Sequence, residues 1–226
     1  MKNKRLVFVP LDYEPYYSVE TVNIPDEFKL ETSQQKKDCL KYIHEVFHSK
    51  HPTKRILEIS TKSFQPEGVA LSAFNLSYFV VSEGENFPVE NVYQSSKFFE
   101  NGKNYRDLLY VTPKEAKKDV RLTSSGKVIK YIFESYEYPF DEIEYPVEPK
   151  DAFFNYLYML ALMKNSELSN MLFRYDAFSD IEFDPAVGVN CQARVAAKYV
   201  GMVNSGIIKS VSDVCDIIDC CIKKQI

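Results

Sequence analysis

The chain has 226 residues, 45% of them apolar and 27% charged, with a formal net charge of −4. That length supports one domain, or one domain with an appendage, and a core that stands without disulfide or metal staples. The composition excludes a disordered, collagen-like or membrane-spanning chain, because the longest near-apolar run, Ala152 to Met163, is too short to cross a bilayer. The basic start, Met1 to Arg5, is followed only by Leu6 to Leu11, which is too short for a signal peptide. The five cysteines (Cys39, Cys191, Cys215, Cys220 and Cys221) are odd in number and form no C-x-x-C pair, so they read as reduced thiols in a cytosolic protein.

In chain order, Arg5 to Leu11 predicts a first strand, with Pro10 at an edge or an end. Thr32 or Ser33 caps a helix through Ser49, whose apolar face is Cys39, Leu40, Ile43 and Phe47. Ile56–Ser60 and Tyr78–Ser82 predict two further short strands. Beyond them the pattern turns helical, with candidates at Pro88–Asn101, Pro113–Lys118, Pro149–Met163, Glu167–Phe173, Cys191–Ser205 and Val211–Lys223. The expectation is an α+β fold, predominantly helical, with a few short strands near the N-terminus. Residues 1–55 would supply a strand and a helix packed on a main domain of residues 56–226.

Charge is segregated along the chain. Lys97 to Lys130 holds nine basic and four acidic residues, and Tyr131 to Asp151 holds seven acids and one lysine. Two solvated segments that neutralise each other would look like this. So would a cationic patch for a phosphate-bearing partner.

The helix predicted over Pro88–Asn101 carries the most informative pattern. Pro88 suits a first helical position and Gly102 the position just past the end. At about 100° per residue, Glu90, Gln94 and Lys97 fall on one narrow stripe, flanked by Tyr93 and Phe98. Val89, Val92, Ser96 and Phe99 fill most of the remaining circumference. A carboxylate and an amine on such a seam form either a structural network or an acid/base pair lining a pocket.

Other constellations say less. His44 and His48 stand at i and i+4 with His51 nearby, but without the inner Glu of a zinc helix, so packed or solvated histidines are the simpler reading. Seven glycines leave no Gly-rich nucleotide loop and no G-x-S-x-G elbow. Asn190 is a good N-cap for the helix that ends at Ser205, and helix starts attract anions. Tyr175 to Asp184 places four acids in a loop that either orients ribose hydroxyls or is merely solvated.

Two motifs, Leu71-Ser72-Ala73-Phe74-Asn75-Leu76 and Val89-Glu90-x-x-Tyr93-Gln94-x-Ser96-Lys97, resemble those of the NADAR (YbiA-like) superfamily. Further blocks are similar to the NADAR proteins that accompany the DNA ADP-ribosyltransferase toxin DarT. They are Ile56–Ser63, Ser124–Lys127, Glu148–Phe153, Tyr175–Phe183 and Asn190–Arg194. The resemblance implies a single NADAR-type domain and an ADP-ribosyl glycohydrolase that removes ADP-ribose from guanosine in DNA, the antitoxin of a toxin–antitoxin pair. It implies Glu90 and Lys97 as catalytic residues, with Lys97 acting either as a Schiff-base nucleophile or electrostatically. It also implies Ser60, Lys62, Asn75, Tyr93, Gln94, Asp180, Asn190 and Gln192 as substrate-binding residues. Among them, Asp180 would face ribose and the Asn190 helix start the diphosphate. The implied partners are ADP-ribosylated DNA or a guanosine nucleotide and a DarT-type toxin. No cofactor, metal or membrane is implied. A binding module without turnover, or an N-glycosidase of riboflavin-pathway intermediates, are the alternatives. The second is disfavoured because broader YbiA-like members carry tryptophans near the pocket and this chain has none.

Overall fold

The computed structural model describes residues 4–134 and 141–216. The elements in chain order are β1 (Lys4–Pro10), β2 (Tyr17–Asn23), α1 (Ser33–Lys50), β3 (Ile56–Glu58), α2 (Pro66–Ala70), β4 (Ser77–Val80), β5 (Glu85–Pro88), α3 (Val89–Ser95) and β6 (Lys97–Phe99). A 3-10 turn (Arg106–Tyr110) follows, then α4 (Pro113–Lys118), α5 (Arg121–Ser124), β7 (Val128–Glu134), β8 (Glu142–Tyr145), α6 (Ala152–Lys164), α7 (Ser166–Leu172), β9 (Ala177–Ser179) and α8 (Gln192–Asn204). Residues 211–216 are helical as well, and the rest of the helix expected to Lys223, with Cys220 and Cys221, lies outside the described residues. Helix at 41% outweighs strand at 21%, so the fold class is mixed α+β. The strands are not confined to the N-terminal part, since β6, β7, β8 and β9 all lie in the stretch expected to be helical.

The chain divides into two compact units, neither continuous in sequence. One takes the segment up to Ser72 together with Ser166–Lys209, and the other takes Ala73–Asn165 and the segment from Ser210 onward. The first unit is built on a sheet of order β2-β1-β9-β3, in which β1 runs antiparallel to β2 and β9 while β9 runs parallel to β3. Pro10 closes β1, opposite Tyr17 of β2. The α1 helix starts with a full capping box, in which Thr32 Oγ1 accepts the Gln35 N–H and Gln35 Oε1 accepts the Thr32 N–H. Its expected face (Cys39, Leu40, Ile43 and Phe47) is the face it buries. Cys39, Ile43 and Phe47 of that face join Val7, Val22, Ile56, Ala177 and Ile181 in one apolar cluster. The α8 helix packs against β1 and β9 as well, and its Gly201 touches the turn between β1 and β2. A Cβ there would stand 2.3 Å from the carbonyl oxygens of Leu11 and Tyr16, so only glycine lets the helix approach this closely.

The second unit holds the hairpin β4–β5 and the antiparallel sheet β6-β7-β8. Its central helix, α6, reads Ala-Phe-Phe-Asn-Tyr-Leu-Tyr-Met-Leu-Ala-Leu-Met-Lys and is buried on nearly every side, as an all-round apolar helix must be. Phe153 of α6 stacks on Tyr131 of β7 with ring centroids 4.4 Å apart. The oppositely charged segments meet in this unit: Lys130 pairs with Glu144 across the β7–β8 pair, and Arg106 reaches Glu142 at 3.4 Å and Glu83 at 2.9 Å. Arg121 is bound by Asp107 at 2.7 Å and Asp119 at 2.8 Å. Part of the cationic segment is therefore neutralised by neighbouring acids. Lys114 and Lys118 of α4 are exposed and have no ion pair among the described residues.

The helix expected over Pro88–Asn101 is much shorter. It ends at Ser95, and Lys97 opens the strand β6. The Ser95 and Ser96 hydroxyls turn back onto the Val92 carbonyl, at 3.0 and 2.7 Å, and Asn104 Nδ2 donates to the carbonyls of Ser95 and Lys97 at 2.6 and 2.9 Å. The Asn104 amide thus takes up the Ser95 carbonyl, which a further helical turn would have used. Lys97-Phe98-Phe99 then pairs with β7, Lys97 opposite Tyr131. Gly102 is not a helix terminus. It sits at φ +77° in the turn after β6, where its N–H bonds the Phe99 carbonyl.

Candidate functional site

In the second unit, seven consecutive residues of α3, Val89 to Ser95, are buried, including the polar Glu90, Asn91, Gln94 and Ser95. Asn91 Nδ2 donates to the carbonyls of Leu108 and Val111 at 2.8 and 2.7 Å, while its Oδ1 is buried with no hydrogen-bond partner among the described residues. Glu90 and Gln94 bond each other. Gln94 Nε2 donates to Glu90 Oε1 at 2.7 Å, which leaves Gln94 Oε1 buried with no hydrogen-bond partner among the described residues. Among the described residues Glu90 Oε2 has no hydrogen bond, and the Lys117 ammonium of α4 lies 3.9 Å from it. A buried amide oxygen without a partner among the described residues thus lies beside a carboxylate with a single hydrogen bond.

Lys97 reaches the same place from the strand. Its ammonium lies 4.8 Å from the Tyr93 ring centre. Tyr93 is held in turn by the Tyr131 hydroxyl at 3.1 Å and by contacts with Phe153 and Phe154. Burial pulls Lys97 down to about 8, against the opposing pull of Glu90 and with help from the positive charge of Lys117. Its amine is therefore easier to deprotonate than that of an ordinary lysine. The seam expected on one helix exists, but helix α3 supplies Glu90, Tyr93 and Gln94, and strand β6 supplies Lys97. Asn75, also in this unit, is exposed just before β4.

The remaining expected residues belong to the first unit and surround a second buried carboxylate, Glu58, which the sequence reading did not single out. Glu58 is fully buried on β3 and fully satisfied. Its Oε1 accepts the Ser60 hydroxyl at 2.6 Å and the Ile181 N–H at 2.8 Å, and its Oε2 accepts the Ser179 hydroxyl at 2.6 Å. Burial pushes its carboxyl above the ordinary range, and these three donors pull the other way. His44 Nε2 lies 3.1 Å from Ser179 Oγ, and burial followed by the nearby His48 brings His44 down to about 4, so it is a neutral partner of this network. Ser60 Oγ also accepts the Lys62 N–H at 3.1 Å, which commits its hydroxyl to the fold.

Asp180 Oδ1 accepts the Glu182 N–H at 3.0 Å, and Gln192 Nε2 donates to the Ile59 carbonyl at 2.7 Å. The Lys62 ammonium lies 3.6 Å from Glu182. The four-acid loop expected over Tyr175–Asp184 contains a strand, β9, and Asp176 in it accepts the Arg55 N–H. Asn190 is not the N-cap of α8. Cys191 holds that position with no side-chain cap bond, and Asn190 Oδ1 is left buried without a hydrogen-bond partner among the described residues.

Sequence reasoning missed Glu58 and placed Lys117 among surface cations. A lone acid between Ile56-Leu57 and Ile59 was the available signal for the first. Nothing local marks Lys117, because α4 brings it to Glu90 through tertiary packing. No curated protein matches the chain. The model of the family described as DarT1-associated NADAR antitoxin matches residues 3–226, practically the whole length. The chain therefore belongs to the DarT1-associated NADAR antitoxin family.

Proposed function

We propose that the protein is an N-glycoside hydrolase that removes ADP-ribose from guanosine in DNA and so reverses the action of a DarT-type toxin. Its products are free ADP-ribose and the restored guanine base. The observation that carries the reading is the juxtaposition of a buried Glu90 with a half-buried lysine of lowered basicity, Lys97. A solvated surface would not keep such a pair.

In this reading the unprotonated Lys97 amine attacks the anomeric carbon of the ribose, and the Glu90 carboxylate takes the proton that the attacking nitrogen sheds and passes it to the departing guanine nitrogen. Ring opening of the resulting glycosylamine gives an imine. Water, deprotonated by Glu90, hydrolyses that imine to ADP-ribose and the free amine. Gln94 orients the Glu90 carboxylate through Oε1, which leaves Oε2 to exchange the proton. Asn75 and Tyr93 of the same unit are the proposed substrate-binding residues.

The test is incubation of the protein with an ADP-ribosylated oligonucleotide. Free ADP-ribose and restored guanine are expected. Tight binding with no release would make the protein a reader and overturn the hydrolase reading. Borohydride added during turnover should trap an adduct of ADP-ribose mass on wild-type protein and none on Lys97→Ala. Turnover without an adduct, with substantial activity in Lys97→Arg, would leave Lys97 an electrostatic role only.

A further inference from the structure

Lys117 stands apart from the other cations of its segment. Arg106, Arg121 and Lys130 are each paired with acids that belong to no site, and Lys114 and Lys118 face solvent. Lys117 alone on α4 turns its ammonium to the Glu90 carboxylate, 3.9 Å from Oε2, and rests it 5.4 Å from the Phe74 ring centre. Its side chain is 56% exposed while that of Glu90 is 7% exposed, so the pair joins a buried acid to a cation at the solvent side. The carboxylate is therefore held from two directions, by the Gln94 amide at Oε1 and by the Lys117 charge at Oε2.

A carboxylate beside a lysine normally keeps that lysine protonated. A nucleophilic amine next to Glu90 needs something to offset that effect, and a second cation does so in two ways. It shares the carboxylate's charge, and it repels the ammonium form of its neighbour. We propose that Lys117 is a positioning residue of this centre, taking up the charge of Glu90 so that Lys97 keeps an unprotonated amine. This rests on the reading of Lys97 as the reacting amine. The other titratable groups around Lys97 are Glu90 and Tyr93 of α3 and Tyr131 of β7. Burial is the largest influence on Lys97, and among the charged groups described around it the balance lies between one acid and two lysines.

Competitive acetylation of Lys97 across a pH series, quantified by peptide mass spectrometry, reads its titration without needing turnover. In Lys117→Met the Lys97 midpoint should rise by about half a pH unit or more, because both effects of the second cation are lost. Lys117→Arg should restore the wild-type midpoint, and Lys114→Met should leave it unchanged. Lys117→Gln replaces the Met variant if the latter does not fold. An unchanged or lowered midpoint in Lys117→Met, or an equal rise in Lys117→Arg, overturns the proposal. In the active protein, the rise of kcat with pH should move upward with the same midpoint. A wild-type protein that releases no ADP-ribose would instead sink the hydrolase reading, while the acetylation result would still decide the electrostatic one.

Discussion

Glu58 and Glu90 are both buried carboxylates, one on a strand of the first unit and one on a helix of the second, and their surroundings differ in kind. Glu58 has three short hydrogen bonds shared between its two oxygens, and each donor belongs to the backbone or side chains that shape β3 and β9. Glu90 has one hydrogen bond, a cation beyond bonding distance, and a neighbouring amide oxygen with no partner among the described residues. Burial alone therefore does not fix how a carboxylate is met; what differs here is the number of donors that reach each one.

The largest effect separating the two should come from Glu58→Ala. It leaves the Ser60 and Ser179 hydroxyls and the Ile181 N–H without their acceptor in the core, and should cost about 3 kcal/mol or more. A denaturant titration monitored by circular dichroism checks this, and a loss under about 1 kcal/mol would break the comparison. Glu90→Gln should do the reverse. The fold stays intact, and turnover falls at least about a hundredfold, the usual scale of lost acid/base catalysis. Near-wild-type release of ADP-ribose from the folded variant would take Glu90 out of the mechanism.

A smaller effect concerns the cations of α4 that do not touch Glu90. Lys114→Glu combined with Lys118→Glu should weaken action on modified DNA by about tenfold and leave action on ADP-ribosyl guanosine nearly unchanged, with the DNA reaction also falling as salt is raised. Equal losses on both substrates would show that α4 does not meet the DNA backbone.

A further effect is on stability. Lys97 titrates at about 8 in the folded chain against an ordinary 10.5, so the folded state binds fewer protons between those values. The lowered value is a cost to folding that is fully present below pH 8 and is relieved as pH rises toward 10.5. Wild type minus Lys97→Met in unfolding free energy should therefore increase across that window, and a flat difference would mean that Lys97 is not held in a desolvated place.

Much of this was legible from the residues. Thr32 and the Cys39, Leu40, Ile43, Phe47 periodicity gave α1 with its cap and its buried face, because local capping and burial agree there. The composition of Glu90, Tyr93, Gln94 and Lys97 was legible as a seam, but its geometry was not. Lys97-Phe98-Phe99 fits a helical period as well as a strand, and the pairing with β7 that decides between them lies about 30 residues away in sequence. In the sheet β6-β7-β8, β6 and β8 have three and four residues, too few for a periodic pattern, whereas β7 (Val-Ile-Lys-Tyr-Ile-Phe-Glu) carried β-branched and aromatic residues that signal a strand. Asn190 carries the right chemistry for a cap, yet the chain starts α8 one residue later. The Glu58 network joins Ser60, Ser179 and Ile181 across more than a hundred residues, which no local pattern encodes.

The abrupt change from α3 to β6 at Ser96 has a consequence for how such a chain can vary in length. Inserting or deleting one residue in a helix rotates everything beyond it by about 100°, and in a strand it moves each side chain to the opposite face. Lys97 sits one residue past the helix and is the first residue of the strand, so a single-residue indel at Ser96 would carry its amine away from Glu90 while every side chain stayed chemically the same. The spacing between the acid and the amine is thus a gear ratio between two kinds of backbone. Loops elsewhere in the chain can lengthen, whereas this junction can change only by substitution.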